Sequence, residues 1–204
     1  MKIVKGTEHL SHTYILTRFN QAILIDPSYD LKQISEYLSD RTLVGVLLTH
    51  AHRDHIDLIG HFNVPVYIHR EDAHLLFEDK HNGYEDSKRP YNKKNLDLVL
   101  VEDEERILFA DHYIEVMHTP GHTKGSVCYL YHDQIFTGDT LFKNTVGRHD
   151  LYSGSLPELK RSILKILSLN ANHKIYPGHD EFSTVRYEKA NNPFYLKWIK
   201  QLKK

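Results

Sequence analysis

The feature that most constrains this chain is a run of histidine and aspartate directly after an apolar segment. Residues 43–49 form an apolar stretch of strand length, and the sequence His-Ala-His-Arg-Asp-His follows it. Alternate residues of an extended segment share a face, so His50 and His52 can point at one ion. Asp54 and His55 lie on the next turn and can reach a second ion. At the His and Asp frequencies of this chain, such a pattern is expected by chance about 0.007 times.

Histidine is abundant in the whole chain, at 16 of 204 residues, and imidazole is the commonest metal ligand in proteins. Three more ligand-type side chains stand in glycine-flanked turns, each after a predicted strand: His122, Asp139 and His179. Together, the five His and two Asp match two sites that share one carboxylate. Nitrogen and oxygen ligands of this kind suit zinc, manganese or iron, and ions about 3.5–4 Å apart are typical of metallohydrolases.

The composition excludes several other classes of protein. The net charge is −1, so the chain lacks the basic excess of a nucleic-acid or anionic-membrane binder. A single cysteine, Cys128, leaves no partner for an internal disulfide and no cysteine-based zinc cluster. We find no apolar signal core and no uncharged apolar run of about 18 residues. We therefore expect a cytoplasmic monomer or homodimer with no nucleic-acid or membrane partner.

The hydrophobic pattern predicts strands and helices in both halves of the chain. Strands are predicted at 3–4, 12–16, 22–26, 43–49, 64–68, 97–101, 113–118, 126–131, 134–137 and 174–176. Helices are predicted at 30–39, 54–62, 71–79, 157–169 and 182–204. The polar segment 80–95 is predicted to be a surface loop or a lid, in which Tyr84 and Tyr91 are candidate pocket residues. This arrangement favours two packed sheets with helices outside.

The motifs taken together resemble the metallo-β-lactamase superfamily. H-x-H-x-D-H is followed by Pro-Gly-His-Thr, Gly-Asp-Thr-Leu-Phe and Pro-Gly-His, and the set spans residues 50–179. The resemblance implies an α+β fold, a single-domain four-layer αββα sandwich over residues 1–204, with metals at one edge. It also implies a ligand set in which His50, His52 and His122 hold one metal, Asp54, His55 and His179 hold the other, and Asp139 bridges them.

Within that superfamily the chain is most similar to small hydrolases of the glyoxalase II (hydroxyacylglutathione hydrolase) type. Their G-D-T-L-F…G-R-x-D pattern matches residues 137–150, and their terminal segment resembles Asn192-Pro193-Phe194. Two positions depart from the pattern, because Asp57 stands where these enzymes usually have glycine and Ser28 follows Asp26-Pro27 in place of glycine. Since about 25 residues follow His179, we expect no C-terminal helical domain of the kind that grips glutathione.

The resemblance implies a dinuclear metal-dependent hydrolase of thioesters, such as S-D-lactoylglutathione or a related small-molecule acyl-thiol. Two divalent ions, zinc first with iron or manganese as alternatives, would provide hydroxide to attack the carbonyl, and Asp54 would orient it as the catalytic residue. A thiolate leaves readily because the pKa of a thiol is about 8.5, whereas an amide nitrogen needs a general acid. Arg148 and Lys143 are candidate substrate contacts.

Three other functions remain open at this point. Persulfide dioxygenases share the motif set but use one iron. A hydrolase of another ester or lactone class would use the same ligands. A non-catalytic metal-binding or scaffold protein is the third, although a degenerate site usually loses ligands and all seven are present.

Overall fold

The first of two large sheets is built by the N-terminal half of the chain. The computed structural model describes residues 1–85 and 96–202. In spatial order the sheet contains β1 (Lys2–Val4), β2 (Thr13–Arg18), β3 (Gln21–Ile25), β4 (Thr42–Leu47), β5 (Val66–His69) and β6 (Leu98–Val101). The first three strands pair antiparallel and β3 to β6 pair parallel. Parallel neighbours need crossovers, and the helical segments between them are α1 (Leu31–Leu38), α2 (Arg53–Ile56), α3 (Asp79–Asn82) and 3₁₀ turns at Ile59–His61 and Ala73–Phe77.

The second sheet is built by the C-terminal half. Its elements along the chain are β7 (Arg106–Phe109), β8 (His112–His118), β9 (Val127–Tyr131), β10 (Gln134–Gly138), a small hairpin of β11 (Leu141–Phe142) and β12 (Thr145–Val146), α4 (Leu156–Ser168), β13 (Lys174–Pro177), β14 (Ser183–Thr184), α5 (Val185–Asn191) and α6 (Pro193–Leu202). The spatial order of the sheet is β14-β13-β10-β9-β8-β7. Because β10 and β13 are parallel, their carboxyl ends meet at one edge.

Three apolar layers hold the four structural layers together. Side chains alternate across each strand, so Leu24 faces α1 whereas Ile25 faces the second sheet. Phe136 enters the same middle layer from β10, while its neighbour Ile135 packs outward with α4 and α6. Trp198 of α6 covers that outer layer. The predicted αββα sandwich of α+β class is therefore confirmed.

Several predicted elements have different bounds in the structure. The helix predicted at 54–62 is two short pieces, because the amide of Leu58 donates to Pro27 O instead of continuing the helix. The predicted tail helix is split into α5 and α6 at Asn192, whose Oδ1 accepts from the amides of Phe194 and Tyr195 and so starts a new helix. The strand β7 and the β11–β12 hairpin were not predicted.

The polar segment 80–95 lies only partly within the described residues. Its first residues belong to α3, and Tyr84 is buried at 4% exposure, so the prediction of a surface loop is wrong at this end. The remainder, including Tyr91, lies outside the described residues. Among the described residues, no helix is long and apolar enough to cross a membrane.

Candidate metal centre

The seven predicted ligands meet at one edge of the sandwich. His50 and His52 follow the carboxyl end of β4, and the short helix α2 carries Asp54 and His55 directly after them. The other three stand after β8, β10 and β13: His122, Asp139 and His179. The amide of Gly178 donates to Gly138 O at 2.8 Å, which fixes the turns after β10 and β13 side by side.

The ligand atoms form two adjoining groups. One consists of His50, His52 and His122, and the other of Asp54, His55, Asp139 and His179; within each group the atoms lie within 4.8 Å of one another. The groups meet at Asp139, whose Oδ1 lies 3.1 Å from His55 Nε2 and whose Oδ2 lies 3.8 Å from His122 Nε2. The grouping is the one that the resemblance implied, with Asp139 between the two sets.

The buried polar atoms at the centre of the site fit divalent cations. Among the described residues, His50 Nε2 is buried with no hydrogen-bond partner, and His55 Nε2 and Asp139 Oδ1 are buried facing each other at 3.1 Å without forming an aligned hydrogen bond. Buried polar atoms are almost always partnered, because burying one without a partner costs about 1–3 kcal/mol. The two imidazole nitrogens and the carboxylate oxygen are also the donor types that zinc, manganese and iron accept. The residues present therefore suit a divalent metal site.

The ring nitrogens facing away from the centre are held by outer contacts. His55 Nδ1 donates to Asp26 Oδ2 at 2.8 Å, and His122 Nδ1 donates to the carbonyl of Arg148 at 2.8 Å. His50 Nδ1 lies 3.1 Å from Thr49 Oγ1, which itself donates to Asp26 Oδ2 at 2.7 Å. These contacts fix the proton on Nδ1 and leave Nε2 aimed inward, the arrangement that orients histidine ligands in metal sites.

The pKa values of the site reflect a dense cluster of charge. Burial acts to raise the pKa of Asp139, but the adjacent His55 outweighs it and holds the pKa well below its usual range. Burial acts to lower the pKa of His55, and the carboxylates of Asp139 and Asp26 reverse this and hold it well above its ordinary value. For His52, burial and the neighbouring His122 lower the pKa to about 4. Metals bind ionised carboxylate and neutral imidazole, so Asp139 and His52 are already in the binding form, whereas a cation at the second group would replace the proton that the carboxylates favour on His55.

Two buried aspartates support the site and were not identified as functional from the sequence. Asp26 accepts from the amide and hydroxyl of Thr49 as well as from His55. Asp72 accepts from Thr123 Oγ1 at 2.7 Å and from the amide of Gly125 at 2.7 Å, and so fixes the loop that carries His122. The Asp-Pro turn marked Asp26 only as the end of a strand, and no sequence signal distinguished Asp72.

Gly178 leaves the space that the second group of ligands occupies. A Cβ at this position would overlap Asp139 Oδ1 and approach His55 Cε1 to 2.5 Å. We expect Gly178→Ala to weaken metal binding at this group by about tenfold or more, since displaced ligands lose their geometry. Competition with a chromophoric chelator measures the effect. Gly45→Ala is the control, because a Cβ there contacts the Tyr67 ring, the Ile23 side chain and the Pro65 carbonyl, none of which is a ligand. Wild-type chelator competition in Gly178→Ala would contradict the prediction.

Two clefts open onto the ligands. The larger, about 800 Å³, is lined by His52, Asp54, His122 and Asp139 together with Arg148 and Tyr152. The smaller, about 400 Å³, shares His122 and Asp139 and is bordered by Phe142 and Val146. A substrate bound at the ligands therefore has room for an arm on each side.

The two predicted substrate contacts are placed differently. Arg148 borders both clefts and forms an exposed ion pair with Asp150, Nε to Oδ1 at 3.0 Å. Lys143 pairs with Glu181 and lies beside the Tyr187 ring, and it lines neither of these clefts. The structure thus brings Arg148, but not Lys143, to the candidate site.

A family model, described as the metallo-beta-lactamase superfamily, matches residues 6–179 of the chain. The chain belongs to the metallo-β-lactamase superfamily. The match includes all seven candidate ligands and every strand of the two sheets except the edge strands β1 and β14, so the predicted resemblance is confirmed. As a metallo-hydrolase of this superfamily, the chain has a candidate His/Asp site for divalent metal.

Curated proteins similar to this chain match most of its length. The chain is 35% identical over 182 residues to an uncharacterized protein of Aquifex aeolicus, with 85% of each chain covered. It is 31% identical to a probable metallo-hydrolase of Streptococcus pyogenes, covering 96% of this chain and 90% of that protein. It is 33% identical to the hydroxyacylglutathione hydrolase GloC of Haemophilus influenzae, covering 85% and 86%.

Solved structures similar to this chain cover most of its length. BLEG-1, a B3 metallo-β-lactamase, has a TM-score of 0.87 at 32% identity and covers 95% of this chain and 98% of its own. TTHA1623 in a di-iron-bound form has a TM-score of 0.83 at 29% identity and covers 95% and 100%. ETHE1 from Myxococcus xanthus has a TM-score of 0.75 at 27% identity and covers 94% and 82%.

Proposed function

We propose that this protein is a dinuclear metal-dependent hydrolase of small-molecule thioesters, similar to glyoxalase II. The observation that carries the proposal is the pair of adjoining ligand groups, each with a buried imidazole nitrogen that has no aligned hydrogen bond to any residue the structure describes. Similarity to the hydroxyacylglutathione hydrolase GloC supports the thioester class.

Each group would hold one divalent ion. In the proposal His50, His52 and His122 hold one ion, Asp54, His55 and His179 hold the other, and Asp139 reaches both. Zinc is the proposed metal, and the di-iron form of the related TTHA1623 makes iron the first alternative to test. Such ions supply hydroxide at neutral pH and stabilise the negative charge that develops on a carbonyl oxygen.

The protein side chains position the reactants. Asp54 lines the larger cleft, and its Oδ2 lies 2.8 Å from His179 Nε2. Burial acts to raise the pKa of Asp54, but the neighbouring His55 and the His179 contact hold it below its usual value, so the carboxylate is ionised at neutral pH. It can therefore accept a hydrogen bond from the attacking water and orient it toward the carbonyl carbon. The departing thiolate needs no proton donor, because the pKa of a thiol is about 8.5.

The proposal is tested by thiol release from S-D-lactoylglutathione. Protein loaded separately with zinc, manganese and iron is compared with His52→Ala, which removes one ligand of the first group. We expect metal-dependent release that falls by about 100-fold or more in the variant, since the remaining ligands no longer hold the ion in place. Full metal content and full activity in His52→Ala would contradict the ligand assignment. Fully loaded protein that releases no thiol would contradict the thioester assignment.

A second candidate is a mononuclear iron persulfide dioxygenase. The specific observation in its favour is that His50, His52 and His122 form a group by themselves, with ligand atoms within 4.8 Å of one another. One iron held there, with Asp139 at its edge, would suffice for that activity. Oxygen uptake with a persulfide substrate by the iron-loaded protein, without thioester hydrolysis, would favour this candidate over the first.

A further inference from the structure

Asp57 stands where glyoxalase II-like hydrolases usually have glycine, and it lines the larger cleft. It follows α2 directly and lines the same cleft as His52 and Asp54. Its Oδ1 accepts a hydrogen bond from the hydroxyl of Tyr84, a side chain that is only 4% exposed and lies behind the cleft wall. A buried donor thus orients the Asp57 carboxylate at the cleft, where glycine would leave no charge.

Cations stand beside this carboxylate on the same wall. The Arg53 guanidinium lies 5.3 Å from the centroid of the Tyr84 ring, so Tyr84 contacts Arg53 through its face and Asp57 through its hydroxyl. Lys80 of α3 lines the cleft next to them. Among residues 1–85 and 96–202, neither Arg53 nor Lys80 forms an ion pair with a carboxylate. The wall therefore offers both signs of charge to a ligand.

From this wall we infer that the larger cleft binds a thioester arm that ends in an α-amino acid head group, with its ammonium at Asp57 and its carboxylate at Arg53 and Lys80. The inference deepens the proposed thioester hydrolysis and rests on it. Charge-assisted hydrogen bonds are about twice as strong as neutral ones, and the Arg fork matches a carboxylate. The other arm of the thioester extends into the smaller cleft beside Phe142 and Val146, since the two clefts meet at His122 and Asp139.

The role of Asp57 is tested by blocking the ammonium on the substrate. S-D-lactoylglutathione is compared with its N-acetylated analogue, and the ratio of their kcat/KM values is measured. We expect a ratio of about ten in the wild-type protein, because a cleft built to pair an ammonium discriminates against its absence. In Asp57→Asn the ratio falls toward one. The control Asp40→Asn, an exposed carboxylate paired with Arg41, keeps the wild-type ratio.

A second variant, Tyr84→Phe, tests the same contact in case Asp57→Asn does not fold. Tyr84→Phe keeps the ring under Arg53 and removes the hydroxyl that orients Asp57, so the ratio is expected to fall part of the way. Metal content identifies any variant that has not folded. If Asp57→Asn does not fold, the ratio measured for Tyr84→Phe tests the inference in its place. A ratio that is equal in the wild-type protein and the variants overturns the inference and leaves thioester hydrolysis standing.

A binding measurement separates this inference from the proposed function. S-methylglutathione and its N-acetylated form, neither of which is a thioester, are titrated into the zinc-loaded protein by calorimetry. Tighter binding of the free-ammonium form that Asp57→Asn abolishes supports the inference even where no thioester is hydrolysed. Equal binding of the two forms overturns it.

Discussion

Asp139→Asn is expected to remove at least one of the two proposed metal ions and to reduce the proposed thioester hydrolysis by about 100-fold or more. The Asp139 carboxylate approaches ligand nitrogens of both groups, with Oδ1 3.1 Å from His55 Nε2 and Oδ2 3.8 Å from His122 Nε2. Asparagine keeps the shape of the side chain but removes the negative charge that would balance the two proposed dications. It also turns an amide N–H₂ toward one of the groups, where a metal needs a lone pair.

The metal content of Asp139→Asn, measured by elemental analysis after loading with excess zinc, checks the first part of this expectation, and thiol release checks the second. Asp111→Asn is the matched control, because it makes the same change at an exposed carboxylate that pairs with Arg18 away from the ligands and both clefts. Two tightly bound ions and unchanged hydrolysis in Asp139→Asn would show that the two groups do not depend on this carboxylate.

Asp26→Asn is expected to lower the free energy of unfolding by about 3 kcal/mol and to weaken metal binding about 10- to 100-fold. Asp26 is 2% exposed and accepts from Thr49 N, Thr49 Oγ1 and His55 Nδ1. An asparagine amide offers one acceptor oxygen, and its N–H₂ would face a donor in either orientation. Through Thr49, the same carboxylate also sets the position of His50, so both ligand groups lose their support.

Urea unfolding of the metal-free protein and competition with a chromophoric chelator measure these two effects. Asp30→Asn is a close control, because Asp26 and Asp30 have similar positive φ angles of 50° and 53°. Asp30 caps α1 through a bond from Gln33 N, and asparagine caps a helix about as well as aspartate. We expect Asp30→Asn to retain wild-type stability and metal binding. Wild-type chelator competition in Asp26→Asn would mean that the His55 ring is held by packing alone.

The sequence predicted the strands and the ligands because both depend on short-range patterns. Side chains of β3 and β4 alternate between two apolar layers. Because both faces of these strands are buried, each strand appears in the sequence as a run of apolar residues. Four of the seven candidate ligands lie within residues 50–55, and the other three stand in turns that glycine marks. Spacing of this kind is local, so the motifs could be recognised before any tertiary contact was known.

Contacts between distant segments could not be predicted in the same way. Asp26 reaches His55 across 29 positions, and Asp72 reaches Thr123 across 51. The break in the predicted 54–62 helix depends on a bond from Leu58 to Pro27. No periodicity in the sequence encodes such pairs, because they form only when separate elements pack against each other.

The sequence by itself therefore determined the family, the layer order and the residue types of the candidate site. The tertiary structure decided which atoms of those residues face inward, since buried partners such as Asp26 occupy Nδ1 of His55 and leave Nε2 for the ion. It also decided which charges line the larger cleft, because Asp57, Arg53 and Lys80 meet on one wall only after α2 and α3 have packed at the same edge. Local pattern specifies each element, whereas the positions of charges relative to one another depend on how those elements pack.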